Sequence, residues 1–110
     1  MDEYKEWGHE KCAKMILDRL GDNPIYVTFD LDCLDATVAP GTANLEPAFR
    51  GFNIDEARKL IQCLMGKNVI GGDVACLMPT KDNPNQITSM VASAVMFEII
   101  CLISLNLNNK

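Results

Sequence analysis

The chain has 110 residues and 48% apolar content, enough for one globular domain at most or for part of a larger one. Its formal charge of −5 speaks against nucleic acid or an anionic membrane surface as a partner. Its five cysteines, odd in number and without a Cys-x-x-Cys pair, read as reduced thiols of an intracellular, cytoplasmic protein rather than as a disulfide framework.

No basic-then-apolar leader opens the chain, and Asp2-Glu3-Tyr4-Lys5-Glu6 looks more like the middle of a helix than a mature N-terminus. A mitochondrial setting would need a transit peptide upstream of it. The first helix is expected from Glu3 or Gly8 to Leu20, with Ala13, Ile16, Leu17 and Leu20 as its apolar stripe. Gly21 is placed to end it, and Asp22-Asn23-Pro24 turns the chain into a strand. His9 lies on the polar side of the helix start, where a lone histidine reads as a surface residue.

Ile25 to Phe29 is a β-branched and aromatic run that reads as a buried strand. Asp30, Asp32 and Asp35 follow it. In extended backbone the side-chain period is two, so Asp30 and Asp32 would share a side. Carboxylates roughly 6 Å apart repel by about 3 kcal/mol at an effective dielectric near 20, a cost that a cation relieves. Acids at the carboxyl end of a strand, where open α/β sheets place their sites, suggest a hard divalent metal held by oxygen. The alternative for a bare Asp-x-Asp is a pair of solvated loop acids. The apolar strand before it and the rigid Ala39-Pro40-Gly41-Thr42 turn behind it favour the metal.

Cys33 to Phe52 reads as a long Pro-, Gly-, Ala- and Thr-rich loop, of the kind that tends to be functional. Asn53 begins a second helix, with Glu56 completing a capping-box pattern. Ile54, Ala57, Leu60, Ile61, Leu64 and Met65 would face inward, and Gly66 would close it. Val69 to Leu77 reads as a second strand, weakened by Gly71 and Gly72 and ended by Pro79. A last helix runs from Gln86 or Thr88 to Leu105, with a frayed end from Asn106 to Lys110. It is apolar enough to be mistaken for a membrane span. Glu98 near its centre argues instead for a helix buried on most of its circumference, within the fold or at a subunit contact. The order α-β-α-β-α implies a parallel sheet covered on both faces, but two strands cannot close off their own edges.

The stretch Thr28-Phe-Asp-Leu-Asp-Cys-Leu-Asp-Ala-Thr-Val-Ala-Pro-Gly-Thr42 resembles the last signature of the ureohydrolases, the arginase and agmatinase family, with agmatinase as the nearest branch. Gly21-Asp-Asn-Pro-Ile-Tyr26 before it, and Gly72-Asp73-Val74, Pro79 and Asp82 after it, extend the likeness. It covers nearly the whole chain, and residues 1–110 would correspond to the C-terminal third of a ureohydrolase domain. The resemblance implies a three-layer α/β/α fold with a central parallel sheet, present here as a partial α-β-α-β-α unit, and homo-oligomeric assembly. It implies hydrolysis of a small guanidino substrate, agmatine to putrescine and urea, with two manganese ions activating water. Asp30 matches the carboxylate that bridges both metals, and Asp32 the one that binds the second. Asp35 matches an acid that holds the loop or supports the ligands from behind.

The chain also departs from that pattern. The family's histidine ligand and its Asp-Ala-His-x-Asp segment have no counterpart, and Asp30 and Asp32 offer only four oxygens, so manganese would be held at most partially. Cys76 stands where the family carries a guanidinium-pairing glutamate, and a thiol supplies an anion only if its pKa is strongly lowered. Ala36 replaces the expected proline, and the segment around Phe49-Arg50 reads as about two residues longer. The isolated chain is therefore expected to be inactive. One alternative is a truncated, non-catalytic member that binds metal weakly or associates with full-length subunits. Another is a haloacid-dehalogenase-type phosphatase, with Asp30 as nucleophile, Asp32 as general acid/base and Asp73 as magnesium ligand. That motif wants Gly-Thr where Cys33-Leu34 stands, and a second aspartate where Leu77 stands.

Overall fold

The computed structural model describes residues 2–42 and 51–109. In chain order these form α1 (Asp2–Trp7), α2 (His9–Leu20), β1 (Ile25–Asp30), a 3-10 turn at Leu31–Cys33, α3 (Ile54–Gln62), β2 (Val69–Ala75), a second 3-10 turn at Pro79–Lys81, and α4 (Ile87–Asn108). Both expected starts of the first helix are used, because Gly8 at φ 85° interrupts it in a conformation that side chains resist. His9 is half-buried rather than fully exposed, its ring nitrogen 3.4 Å from the Tyr4 hydroxyl. The change of length around Phe49-Arg50 lies outside the described residues.

β1 and β2 pair in parallel, from Tyr26 opposite Gly71 to Asp30 opposite Ala75. Parallel pairing needs a crossover, and α3 supplies it. Its start is fixed by the capping box read from the sequence: Asn53 Oδ1 accepts from Glu56 N at 2.8 Å, and Glu56 Oε1 accepts from Asn53 N at 3.0 Å. The helix proper ends at Gln62, followed by tight turns through Leu64 and Met65. Leu64 is buried there, whereas Met65, expected inward, is 62% exposed.

One core lies on one side of the sheet. Ala57, Ile61 and Leu64 meet Val91, Val95, Ile99 and Leu102 of α4, with Val27, Phe29 and Val74 of the strands packed against them. The other sheet face carries Tyr26, Thr28, Asp30, Gly71, Asp73 and Ala75, and Tyr26 is 60% exposed. Coverage of both faces is thus met on one face only among the described residues.

The last helix departs from expectation twice. It continues to Asn108, because Asn106 is buried and its Nδ2 donates to Asn68 Oδ1 at 2.9 Å and to the Val69 carbonyl at 3.0 Å. It also leaves much of its apolar surface open, with Met90, Phe97, Ile100 and Leu107 all more than half exposed. By length and composition alone it could cross a bilayer. In the fold Glu98 accepts from Arg58 Nε at 3.1 Å and Gln62 Nε2 at 3.2 Å, fastening α4 to α3.

The start of α4 holds the acidic loop in place. Its first free N–H groups are all occupied: Gln86 N bonds the Asn83 carbonyl, Ile87 N bonds Asn83 Oδ1, and Thr88 N and Ser89 N bond the two oxygens of Asp82. The buried Thr88 hydroxyl accepts from Gly41 N at 2.8 Å, and Gly41 lies so close to Asp82 that an added Cβ would stand 2.8 Å from the aspartate's own. The Ala39-Pro40-Gly41-Thr42 turn is therefore seated on α4.

Candidate metal centre

Asp30 is the last residue of β1, and Asp32 lies within the 3-10 turn that follows. The alternation of a strand does not bring them together, as the sequence suggested it would. The backbone leaves the strand after Asp30, whose Oδ1 accepts the Asp32 N–H at 2.8 Å and caps the turn. Leu31 between them is fully buried and pins the turn to the core. The result is the same convergence by a different geometry.

β2 ends beside this turn, with Ala75 opposite Asp30. The expected strand to Leu77 stops early because Cys76 takes the left-handed conformation at φ 73°, rare for a residue with a side chain. Leu77 then pairs with Thr42 in an isolated antiparallel bridge. One oxygen from each of Asp30 and Asp32 and the Cys76 sulfur lie within 4.8 Å of one another. Asp32 Oδ1 is buried without a hydrogen-bond partner, the one such side-chain oxygen or nitrogen among the described residues. A carboxylate oxygen taken from water and given no donor is costly, and a cation would satisfy it. The donor set and the orphaned oxygen fit a divalent ion.

With no metal bound, the two nearby thiols are held toward their protonated form. Cys76 donates to Asp30, and that bond, with partial burial and the charges of Asp30 and Asp32, pushes its pKa up. It cannot stand in as the anion the family's glutamate would provide. Cys33 is pushed up to about 11 by burial and by the Asp30 charge. All five cysteines are unpaired with one another.

Asp35 does not join the cluster. Its Oδ1 accepts from Thr37 N at 2.9 Å and the Thr37 hydroxyl at 2.7 Å, and these two bonds hold its carboxyl below the usual range. Its own N–H bonds the Phe52 carbonyl, and Gly51 is pressed against it, with no room for a Cβ. The loop's two ends are stapled together there. Asp73 also stays apart: it accepts from the Tyr26 hydroxyl at 2.9 Å and the Thr28 hydroxyl at 2.8 Å, two register positions before Asp30. The phosphatase arrangement, with Asp73 beside Asp30 and Asp32 on one magnesium, is not formed.

The sequence placed Cys76 at the resembled family's guanidinium-pairing position but did not foresee its sulfur among the donors of Asp30 and Asp32. Register was a second signal for that closeness, since two parallel strands that end together bring the residues just past their ends together.

The model of the arginase family matches residues 1–102. Agmatinase from an Enterobacter species is 40% identical over 98 residues, 89% of this chain and 31% of that protein. Proclavaminate amidino hydrolase from Streptomyces clavuligerus superposes with a TM-score of 0.88 at 30% identity, over 96% of this chain and 35% of that one. The agmatine ureohydrolase of Thermoplasma volcanium gives 0.78 at 28% identity, over 96% and 34%. The chain thus spans about 30% of the length of the curated relatives it matches.

Proposed function

This chain belongs to the arginase family, and from that premise we propose that it is the C-terminal portion of an agmatinase-like hydrolase, contributing two carboxylates to a metal centre that cleaves guanidino groups. The observation that carries the reading is the convergence of Asp30 and Asp32, with one Asp32 oxygen buried and without a hydrogen-bond partner. The agmatinases among its relatives support agmatine as the substrate; urea and putrescine as products and manganese as the family's ion belong to the same proposal.

Asp30 and Asp32 would hold the ions, and when bound these supply Lewis acidity and activation of water. Asp30 has a further task, because its Oδ1 also fixes the turn by accepting the Asp32 N–H. Asp35 keeps the following loop shaped through Thr37 and lies outside the donor cluster. The neutral Cys76 offers no countercharge to a guanidinium, so substrate orientation falls to residues beyond those described. Under the same reading the protein is intracellular and cytoplasmic, assembles as a homo-oligomer, and has neither nucleic acid nor membrane as a partner.

Manganese titrated into the chain and followed by electron paramagnetic resonance should bind, and Asp30→Asn and Asp32→Asn should each abolish binding. Binding that survives both replacements overturns the centre. Urea release from agmatine should be absent from the chain alone, because the four carboxylate oxygens fall short of the roughly six donors each ion takes. A second reading, a non-catalytic member of the family, is favoured by the neutral thiol at position 76. Urea release on adding the upstream part of an agmatinase would rule it out.

A further inference from the structure

We propose that Cys76 is the third donor of this centre, and that its sulfur gives the site a preference for thiophilic divalent ions, zinc or cobalt, over manganese. The proposal rests on the metal reading above and adds to it which ion the site selects.

The geometry comes from two separate strands. The turn after β1 presents Asp30 and Asp32, and the end of β2 presents Cys76, with all three donor atoms within 4.8 Å of one another. Donors about 2.0 to 2.3 Å from one tetrahedral ion stand about 3.3 to 3.8 Å apart. Three atoms within 4.8 Å of one another therefore need at most about 1.5 Å of closure, within reach of side-chain rotation. The buried, unpartnered Asp32 Oδ1 marks the same place as short of a positive charge, independently of the cysteine.

An all-oxygen centre suits magnesium and manganese, whereas a thiolate suits zinc, cobalt and other softer ions. Zinc outbinds manganese at almost any site of this kind, so affinity for zinc alone decides nothing. The informative quantity is how far the sulfur contributes to the difference. Binding would displace the Cys76 thiol proton to solvent and replace its hydrogen bond to Asp30 by a sulfur–metal bond. Two carboxylates and the resulting thiolate would leave a fourth position open in a tetrahedral arrangement, the layout that zinc uses when a water or substrate completes it.

Cobalt(II) added to the purified chain should give an intense near-ultraviolet sulfur-to-metal charge-transfer band. Cys76→Ser should abolish that band, and Cys33→Ser should leave it. Competition titrations should show zinc affinity falling at least about tenfold in Cys76→Ser, the scale at which even outer partners of a metal act, while manganese affinity changes less than about threefold. Cys76→Asp should lose the band and keep manganese binding, which separates loss of the sulfur from loss of the fold. Metal that binds without a band, or a band that survives Cys76→Ser, overturns the role of Cys76 and leaves the carboxylate centre standing. Failure of the wild-type chain to bind any of the three ions, or binding untouched by Asp30→Asn, overturns both.

Discussion

Asp82 accepts hydrogen bonds from the N–H groups of Asn83, Thr88 and Ser89 and from the Ser89 hydroxyl. Partial desolvation, the largest single influence, raises its pKa, but those donors together hold it below its ordinary value near 3.8. Glu56, in the box at the start of α3, is lowered in the same way: desolvation opposes, and the Asn53 N–H and Lys5 prevail. A carboxyl whose folded pKa lies below its unfolded value stabilises the fold at every pH above the unfolded value. That stability is lost as pH falls through the folded value. Acid unfolding should therefore begin below about pH 4 with α4 released at its start, and Asp82→Asn should be less stable at neutral pH with a flatter acid limb. Circular dichroism melts between neutral pH and the acid limb would read both. Of the two caps, the Asn53–Glu56 pair was legible in sequence because both partners lie within one turn. Asp82 was legible only by family likeness, since it reaches past Gln86, itself in the left-handed region at φ 57°, to donors six and seven residues on.

Each strand and helix was found in the sequence, yet where it stops depends on contacts that pattern does not carry. The end of β2 is set by the left-handed Cys76, and the end of α4 by Asn106 reaching Asn68 and Val69 across the fold. The paired glycines of β2, read as a weakness, have opposite meanings. Gly72 faces the core, where a Cβ would stand 2.6 Å from the Ile99 side chain and 2.7 Å from the Val27 carbonyl oxygen. Gly71 faces the open side, where a Cβ would meet only the Tyr26 ring at 3.1 Å. Ile99 could shift, but the Val27 carbonyl is fixed in the sheet. Gly72→Ala should therefore cost about 1 to 3 kcal/mol, as overpacked cores do, and Ile99→Val should not restore it. Gly71→Ala should stay within about 0.5 kcal/mol of wild type, the usual range for surface changes. Urea unfolding of the three variants would separate these outcomes, and equal losses at both glycines would contradict the one-sided core.

The Cα radius of gyration is 14.4 Å, with principal extents of 43 × 31 × 17 Å. A compact chain of this length would measure about 13 Å, and the excess fits flatness: among the described residues the sheet carries one helical layer instead of two. The α/β class and the parallel sheet followed from element order alone. The uncovered face could not, because alternation of strand and helix says nothing about which side each helix takes. α4 shows the consequence most sharply. Its residues Val95 and Ile99 are fully buried, while Phe97 between them is 64% exposed and Ile100 beside them 54% exposed. Apolar surface of that kind contributes nothing to the stability of the chain by itself and favours association or the binding of apolar dyes. Phe97→Gln should leave the unfolding midpoint within the small range of surface substitutions, lower the fluorescence of an apolar dye, and raise soluble yield. Ile99→Ala, two residues away, should cost about 2 to 5 kcal/mol and raise the dye signal. If Phe97→Gln destabilised the chain as much as Ile99→Ala, the ring would have to be packed in solution, and the description of α4 as buried along one side only would be wrong.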